Sequence, residues 1–402
     1  MKTQTVKGFS DFVGAEALKR SEIRKIIQRQ FELYGFEPAE SPVVEFEEFV
    51  TNRAGALEAL PLESSTLDEA VRDVFRLEDR GKRKLALRYE FTFQLKRLAK
   101  NQKLPYKRFQ IGSVFRDEPI REGRSRQFVQ CDVDTVGSTI KDEAEILAVV
   151  DGVFRELGIS VKIYINNRKL INEILVSEGV EEKNREQVIR ELDKLDKLSK
   201  KEVADNLKKL GAERILKVFS EDEKSFEKFR FYKEIKKLKK CCKGYGVRVE
   251  FRPYLARGLS YYNGSVFEVW SKDLNVSLAG GGSYLLGDVQ ACGVALGFEP
   301  ICLLSSVEGE SVDFQVISIG EDVAAIRLAS QLREKGLGVN LILDKTVGKA
   351  LEYADAKGVK KVVFVGKAEV ESGKFKVKMM DSGLENFLTE EKIVQSLRGN
   401  RG

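Results

Sequence analysis

Apolar residues recur at helical intervals through residues 15–34, at Ile23, Ile26, Ile27, Phe31 and Tyr34, and this spacing predicts an amphipathic helix that Gly35 ends. From Phe36 to Val44 the pattern reads as a strand running through Pro38 and Pro42, and residues 64–75 read as a helix. The segment VFRLEDRGKRKLALRYE predicts a hairpin, two strands about a turn at Asp79, Arg80 and Gly81. A longer hairpin follows, in which strands 106–118 and 127–137 flank the polar loop PIREGRSR. A helix is expected from about Asp142 to Leu157 and a strand over 161–166.

Residues 167–243 change character. Nearly every second residue is charged, and apolar residues such as Leu192, Leu195 and Leu198 keep helical spacing, so a small helical module is expected. It ends in the basic run KEIKKLKKCCK, which reads as a solvated helix face or as a nucleic-acid contact. Sheet pattern returns at 247–270, a glycine cluster occupies Gly280 to Gly282, and 290–304 reads as a strand running into a helix. The stretch 307–312 resembles a linker. Beyond it strands (FQVISIG, VNLIL, KVVFVG, KFKVKMM) alternate with helices (322–335, 347–357, 389–397), which predicts a separate small α/β domain.

Composition changes this picture mainly by what it removes. The chain has 402 residues, 42% of them apolar and 33% charged, with a net charge of +6 and no histidine. A nucleic-acid partner is permitted by that charge, not required by it. Without histidine there is no Ser-His-Asp triad, no imidazole base and no metal site built from histidine. The five cysteines form no CxxC pair, so a zinc site is not expected either. No apolar run is long enough for a membrane span, and the opening MKTQTVKGFSDF has no stretch of signal-peptide type. The expectation is a cytoplasmic chain with free thiols.

Two segments carry candidate chemistry. The long hairpin holds Arg116, Arg121, Arg124 and Arg126 around its loop, and the planar guanidinium fork suits phosphate oxygens. The stretch Arg257 to Gly264 sets a cation beside Tyr261 and Tyr262 near two glycines; two tyrosines in a sheet more often serve core packing.

These segments resemble known motifs. FRDEPIREGRSRQFVQ is similar to motif 2 of class II aminoacyl-tRNA synthetases, and YGFEPAESPVVE resembles motif 1 with Pro42 as its proline. LARGLSYYNGSVFE and LRYEFTFQLKR resemble signatures of the histidyl-tRNA synthetases. The resemblance covers nearly the whole chain. It implies ATP-dependent activation of L-histidine as an adenylate, transfer to tRNA(His), a magnesium (Mg2+) requirement and a homodimer with motif 1 at its interface. By matching, Arg116 would neutralise the α-phosphate and Arg124 or Arg126 the outer phosphates. Arg257 would lie near the reacting carboxylate and α-phosphate. Glu90, Thr92 and Gln130 would hold the α-amino group, and Asp134 and Tyr262, with Tyr261 beside them, the imidazole.

Three positions depart from the family pattern. Pro300 stands where motif 3 has an arginine that contacts ATP. Ser283 and Leu285 replace an arginine and an acid in the glycine-rich segment, and Asp134 is shorter than the glutamate often found there. Pro300 suits an alternative, a non-catalytic paralogue with a regulatory or sensing role. The implied fold is α+β: a class II antiparallel sheet core with flanking helices over 1–166 and 244–306. A helical insertion over 167–243 and an anticodon-binding α/β domain over 311–402 complete it.

Overall fold

The computed structural model describes residues 3–51, 73–120, 124–196, 198–257, 261–309 and 312–398. Residues 64–72 of the helix expected over 64–75, the loop arginine Arg121, and Gly258 with Leu259 and Ser260 lie outside the described residues, and residues 73–75 are not helical. The chain divides into two compact units, Met1–Asp11 with Ile23–Ser306, and Phe12–Glu22 with Val307–Gly402.

The first helix, Gly14–Leu33, buries Ile23, Ile27 and Phe31 completely. It ends where the spacing predicts. Gly35 takes a φ of 74°, a left-handed conformation that glycine adopts without steric cost, and the Phe36 N–H reaches back to the Phe31 carbonyl at 3.2 Å. The single strand expected over 36–44 is two short pieces, β1 (Glu37–Pro38) and β2 (Val44–Phe46). Two prolines within five residues remove the N–H donors a continuous ladder needs. β2 joins the first hairpin, β3 (Arg76–Glu78) and β4 (Lys84–Leu87), in a three-stranded antiparallel sheet. A helix, Thr92–Ala99, that the sequence pattern did not predict begins within LRYEFTFQLKR.

The second hairpin forms as expected. β5 (Tyr106–Phe115) and β6 (Gln127–Val136) pair antiparallel over ten residues each. The helix Ile140–Glu156 follows, begun by a capping box in which Thr139 and Asp142 satisfy each other's backbone N–H groups. Then come β7 (Lys162–Asn167) and the helices of the charged segment, among them Arg168–Ser177, Glu182–Leu192, Lys200–Lys209 and Tyr232–Gly244. In the last of these Tyr232, Ile235, Leu238 and Cys242 are buried, and the lysines at 233, 236, 237, 240 and 243 form an exposed opposite face. β8 (Val249–Phe251), β9 (Tyr262–Ser271), β10 (Leu274–Leu286), β11 (Val289–Gly297) and the helix Phe298–Leu304 complete the unit.

The central sheet has eight strands in the order β1-β5-β6-β11-β10-β9-β7-β8. The β1–β5 and β7–β8 pairs are parallel and the rest antiparallel. Strand alternation gives it two unlike faces. Cys131 and Val133 of β6 and Cys292, Val294 and Leu296 of β11 are buried apolar residues on one side. The intervening positions carry Gln130, Asp132 and Asp134 on β6, and Gly293, Ala295 and Gly297 on β11.

The C-terminal unit is the expected α/β pattern. β12 (Phe314–Ser318), β13 (Val339–Ile342) and β14 (Lys361–Val365) are parallel, and β15 (Phe375–Met379) and β16 (Glu385–Leu388) add antiparallel strands in the order β13-β12-β14-β15-β16. Phe314, Val316, Leu328, Leu332, Val363 and Ile393 lie in its core. Strand β16 and the short helix Lys367–Ser372 are additions to the predicted elements. Among the described residues no helix is long and apolar enough to cross a membrane.

Candidate active site

The polar face of the central sheet is hollowed where it carries the smallest residues. A Cβ at Gly280 would collide with the Arg257 guanidinium, and one at Gly293 with the Asp134 carboxylate. Glycine leaves room there for these two side chains to lie close to the backbone. The hollow is a cavity of about 230 Å³. Arg116, Arg124, Glu90, Thr92 and Gln130 line it, and so do Asp134, Arg257, Tyr261 and Tyr262. Residues far apart in sequence thus converge because β5, β6, β9, β10 and β11 lie side by side.

Arg126 is not among the lining residues. Its Nε donates to the Glu118 carbonyl at 3.4 Å, its Nη2 pairs with Asp117 at 3.2 Å, and its stem lies against Gly8. Of the two arginines matched to the outer phosphates, Arg124 is the one that lines the cavity. It is half exposed and reaches Glu118 at 3.4 Å.

Arg116 sits over the Tyr89 ring at 4.3 Å and the Phe128 ring at 5.0 Å, and its Nε donates to the Tyr89 carbonyl at 3.4 Å. Such stacking fixes a cation while leaving its outer N–H groups free in direction. Arg257 has a φ of 59°, unusual for a residue with a side chain. Its Nη1 pairs with Glu268 at 2.7 Å, and Glu268 also accepts the Trp270 indole N–H at 2.9 Å. Burial alone would lower the Arg257 pKa, but Glu268 together with Tyr262 and Asp193 outweighs it and holds the guanidinium charged.

Asp134 is held by a hydrogen bond on one oxygen and by an ion pair, without a hydrogen bond, on the other. Arg108, fully buried and directly opposite on β5, approaches Oδ2 at 2.7 Å, and the Tyr284 hydroxyl donates to Oδ1 at 2.5 Å. Burial raises the Asp134 pKa, and Arg108 and Tyr284 oppose the rise. Burial also pushes the Asp132 carboxyl up to about 8, partly offset by Arg108. The Tyr261 and Tyr262 rings lie 4.6 Å apart, and burial raises both phenols, so both stay protonated donors near neutral pH.

Arg108, Asp132, Glu268 and Tyr284 belong to the site and were not read from the sequence. Asp132 lies midway between Gln130 and Asp134, and period-2 alternation puts all three on one face. Arg108 and Glu268 show themselves only through cross-strand register, Arg108↔Asp134 and Gly280↔Glu268. The departures from the family pattern also take their places. Pro300 is buried in the first turn of the helix Phe298–Leu304, where a missing N–H breaks no helical bond, and it does not line the cavity. Its neighbour Glu299 accepts the Val129 N–H. The Ser283 hydroxyl bonds Glu143 at 2.5 Å, and Leu285 is partly exposed.

A family model described as histidyl-tRNA synthetase matches residues 8–301, and one described as an anticodon binding domain matches residues 313–400. Histidine--tRNA ligase 2 of Shouchella clausii (strain KSM-K16) is 32% identical, covering 96% of this chain and 98% of its own. Histidine--tRNA ligase 1 of Bacillus cereus (strain ATCC 14579) is 30% identical, covering 96% and 97%. The crystal structure of histidyl-tRNA synthetase from Nostoc sp. PCC 7120 superposes with a TM-score of 0.85 at 23% identity, over 99% of this chain and 100% of that one. The α+β architecture expected from the sequence, an antiparallel-rich sheet with flanking helices and a C-terminal α/β domain, is the fold these share. On the family match and the length of the shared sequence, the chain belongs to the histidyl-tRNA synthetase family.

Proposed function

We propose that the chain ligates L-histidine to tRNA(His) in two steps, with ATP as co-substrate. The histidine carboxylate attacks the α-phosphorus, pyrophosphate leaves, and the histidyl group passes from the adenylate to the 3′ end of the tRNA. The observation that carries this reading is the convergence on one small cavity of three arginines and of an acid-and-tyrosine pocket, in a member of this family. Such chemistry needs charge neutralisation and alignment, not a protein nucleophile, so a chain without histidine suffices.

In this reading Arg116 faces the α-phosphate and Arg124 the outer phosphates. Arg257, held charged by Glu268, meets the carboxylate and the α-phosphate as negative charge builds between them. Glu90, Thr92 and Gln130 take the α-amino end. Asp134 and Tyr262 take the imidazole, an acceptor on one side and a phenol on the other, a pairing that apolar side chains cannot satisfy. Magnesium would screen the phosphates when bound. Among the described residues no group of three or more cysteine, aspartate or glutamate side chains is placed to hold a metal ion. The C-terminal domain reads the anticodon, and residues 167–243 lie toward the acceptor arm. Val44, Phe46 and Leu77 are exposed on the three-stranded sheet, an apolar face suited to a homodimer interface at motif 1. The setting is the cytoplasm. The non-catalytic alternative is not favoured, since relatives named as ligases match along nearly the whole chain.

Histidine-dependent exchange of pyrophosphate into ATP tests the first step, and charging of tRNA(His) the second. A folded protein that binds histidine but catalyses no exchange with magnesium present would refute the proposal.

A further inference from the structure

Arg257 reaches the cavity from a backbone with a φ of 59°, and its guanidinium lies against β10 where Gly280 leaves room for it. Among the described residues its hydrogen-bond partner is Glu268, which Nη1 reaches at 2.7 Å, while its Nε is buried without such a partner. The direction of the guanidinium fork therefore follows the direction of the Glu268 carboxylate. Glu268 stands opposite Gly280 on β10 and Tyr164 on β7, and it does not line the cavity.

A carboxylate tied at one oxygen still pivots, because the last torsion of a glutamate side chain is broad. Glu268 is tied at both. Its Oε1 takes Arg257, and its Oε2 accepts the indole N–H of Trp270 at 2.9 Å, from two residues along the same face of β9. This bond serves the carboxylate more than the indole. Trp270 is partly exposed, so water could meet its N–H, whereas the Glu268 side chain is only 13% exposed and has its other oxygen committed. The polar groups in register with Trp270 are engaged elsewhere. Lys162 on β7 pairs with Glu250 at 3.5 Å, and the Ser277 hydroxyl on β10 donates to the Ala279 carbonyl at 3.0 Å.

We propose that Trp270 is a positioning residue for the activation step: its indole N–H fixes the Glu268 carboxylate and through it aims Arg257 at the reacting carboxylate and phosphorus. The inference rests on the histidine-charging reading above and adds to it a residue outside the cavity that touches no substrate. What the arrangement supplies is preorganisation. A cation stabilises developing charge best when it is already in place, and a guanidinium free to swing must be ordered during the reaction. In the same reading other residues carry the binding of histidine, which should be nearly indifferent to Trp270.

Trp270 is the one tryptophan of the chain, so its N–H can be removed while its shape is kept. Expression with β-(3-benzothienyl)alanine in place of tryptophan puts a sulfur where the N–H stood, at this position alone, and Trp270→Phe removes the same donor by mutation. In histidine-dependent pyrophosphate exchange both should lower kcat roughly 10-fold, less than the roughly 100- to 1000-fold expected for loss of the cation itself, and leave the KM for histidine nearly unchanged. In an Arg257→Ala background the same removal should have no further effect, because the group it aims is gone. A merely structural role for Trp270 would repeat its loss in both backgrounds. Exchange at the parent's rate in the benzothienyl protein, or a full loss repeated on top of Arg257→Ala, would overturn the inference and leave the ligase reading standing. A parent that catalyses no histidine-dependent exchange removes that reading itself.

Discussion

Replacing Arg257 by alanine should produce two separable losses. The first is structural. Arg257 and Glu268 lie 2.7 Å apart with side chains only 22% and 13% exposed, so truncating the arginine strands a mostly buried carboxylate. Breaking a buried pair from one side costs about 3–5 kcal/mol, and the residual exposure of this one favours the low end, about 3 kcal/mol. Alanine inherits the left-handed backbone, so strain relief does not blur the comparison. The second loss is catalytic. Removing a cation preorganised toward developing phosphate charge typically lowers the rate roughly 100- to 1000-fold. The double variant Arg257→Ala/Glu268→Gln separates them, because the stranded charge is gone while the cation is still missing. Urea denaturation should show the single variant destabilised and the double variant largely recovered. Histidine-dependent pyrophosphate exchange should stay depressed in both, with histidine binding much less affected. If the double variant regains exchange along with stability, Arg257 acts by holding the fold and its assignment to the reaction is wrong.

Asp134→Asn should weaken histidine binding more than ATP binding, because it removes charge from the imidazole side and leaves Arg108 buried beside a neutral amide; calorimetry showing equal losses would refute this. Asp132 carries a carboxyl raised to about 8 when folded, against about 4 when unfolded. The folded state therefore binds the extra proton, and this group's contribution, fully present below about pH 4, is lost as pH rises through about 8. Asp132→Asn should flatten that part of the stability profile measured by urea denaturation, and an unchanged slope would contradict the assignment. Phe46→Asp, on the exposed apolar face of the three-stranded sheet, should shift the sedimentation coefficient toward the monomer; an unchanged coefficient would move the proposed dimer interface elsewhere. Transfer from preformed adenylate to tRNA should show no protein imidazole titration between about pH 5 and 8, because the chain has none. A steep pH dependence that persists with a non-titrating analogue in place of the histidyl group would demand a perturbed carboxylate, lysine or cysteine, with Glu90 the first to mutate.

The hairpins, the first helix and the alternating C-terminal half were legible because each is written in local periodicity and in turn residues next to one another. The helix Thr92–Ala99 was not. Eight residues are too few to show a helical period against the adjacent strand-like LRYEF, and its placement depends on packing. Most of the residues named through the family resemblance line one cavity, and Arg126 shows the limit of such matching. It sits two residues from Arg124, yet the chain turns its guanidinium onto Asp117 and Glu118. Arg108, Glu268 and Tyr284 were missed for a common reason. Their importance lies in cross-strand placement: Arg108 and Glu268 meet their neighbours through the register of hairpin strands, Tyr284 reaches Asp134 from 150 residues away, and neither relation shows in the spacing of residues along the chain.

The floor of the cavity, made of Gly280, Gly293, Ala295 and Gly297, has a thermodynamic consequence. A surface built from peptide backbone has no rotamers to freeze when a ligand lands on it. Glycine's large conformational entropy is surrendered earlier, when β10 and β11 zip against their neighbours. The ordering cost therefore belongs to folding, and association meets a surface already in its final shape. Ligand ordering and the wall side chains are left to set the entropy of binding. A methyl added at Gly280 or Gly293 would act differently, by pushing on the Arg257 guanidinium or the Asp134 carboxylate and so displacing groups that line the cavity.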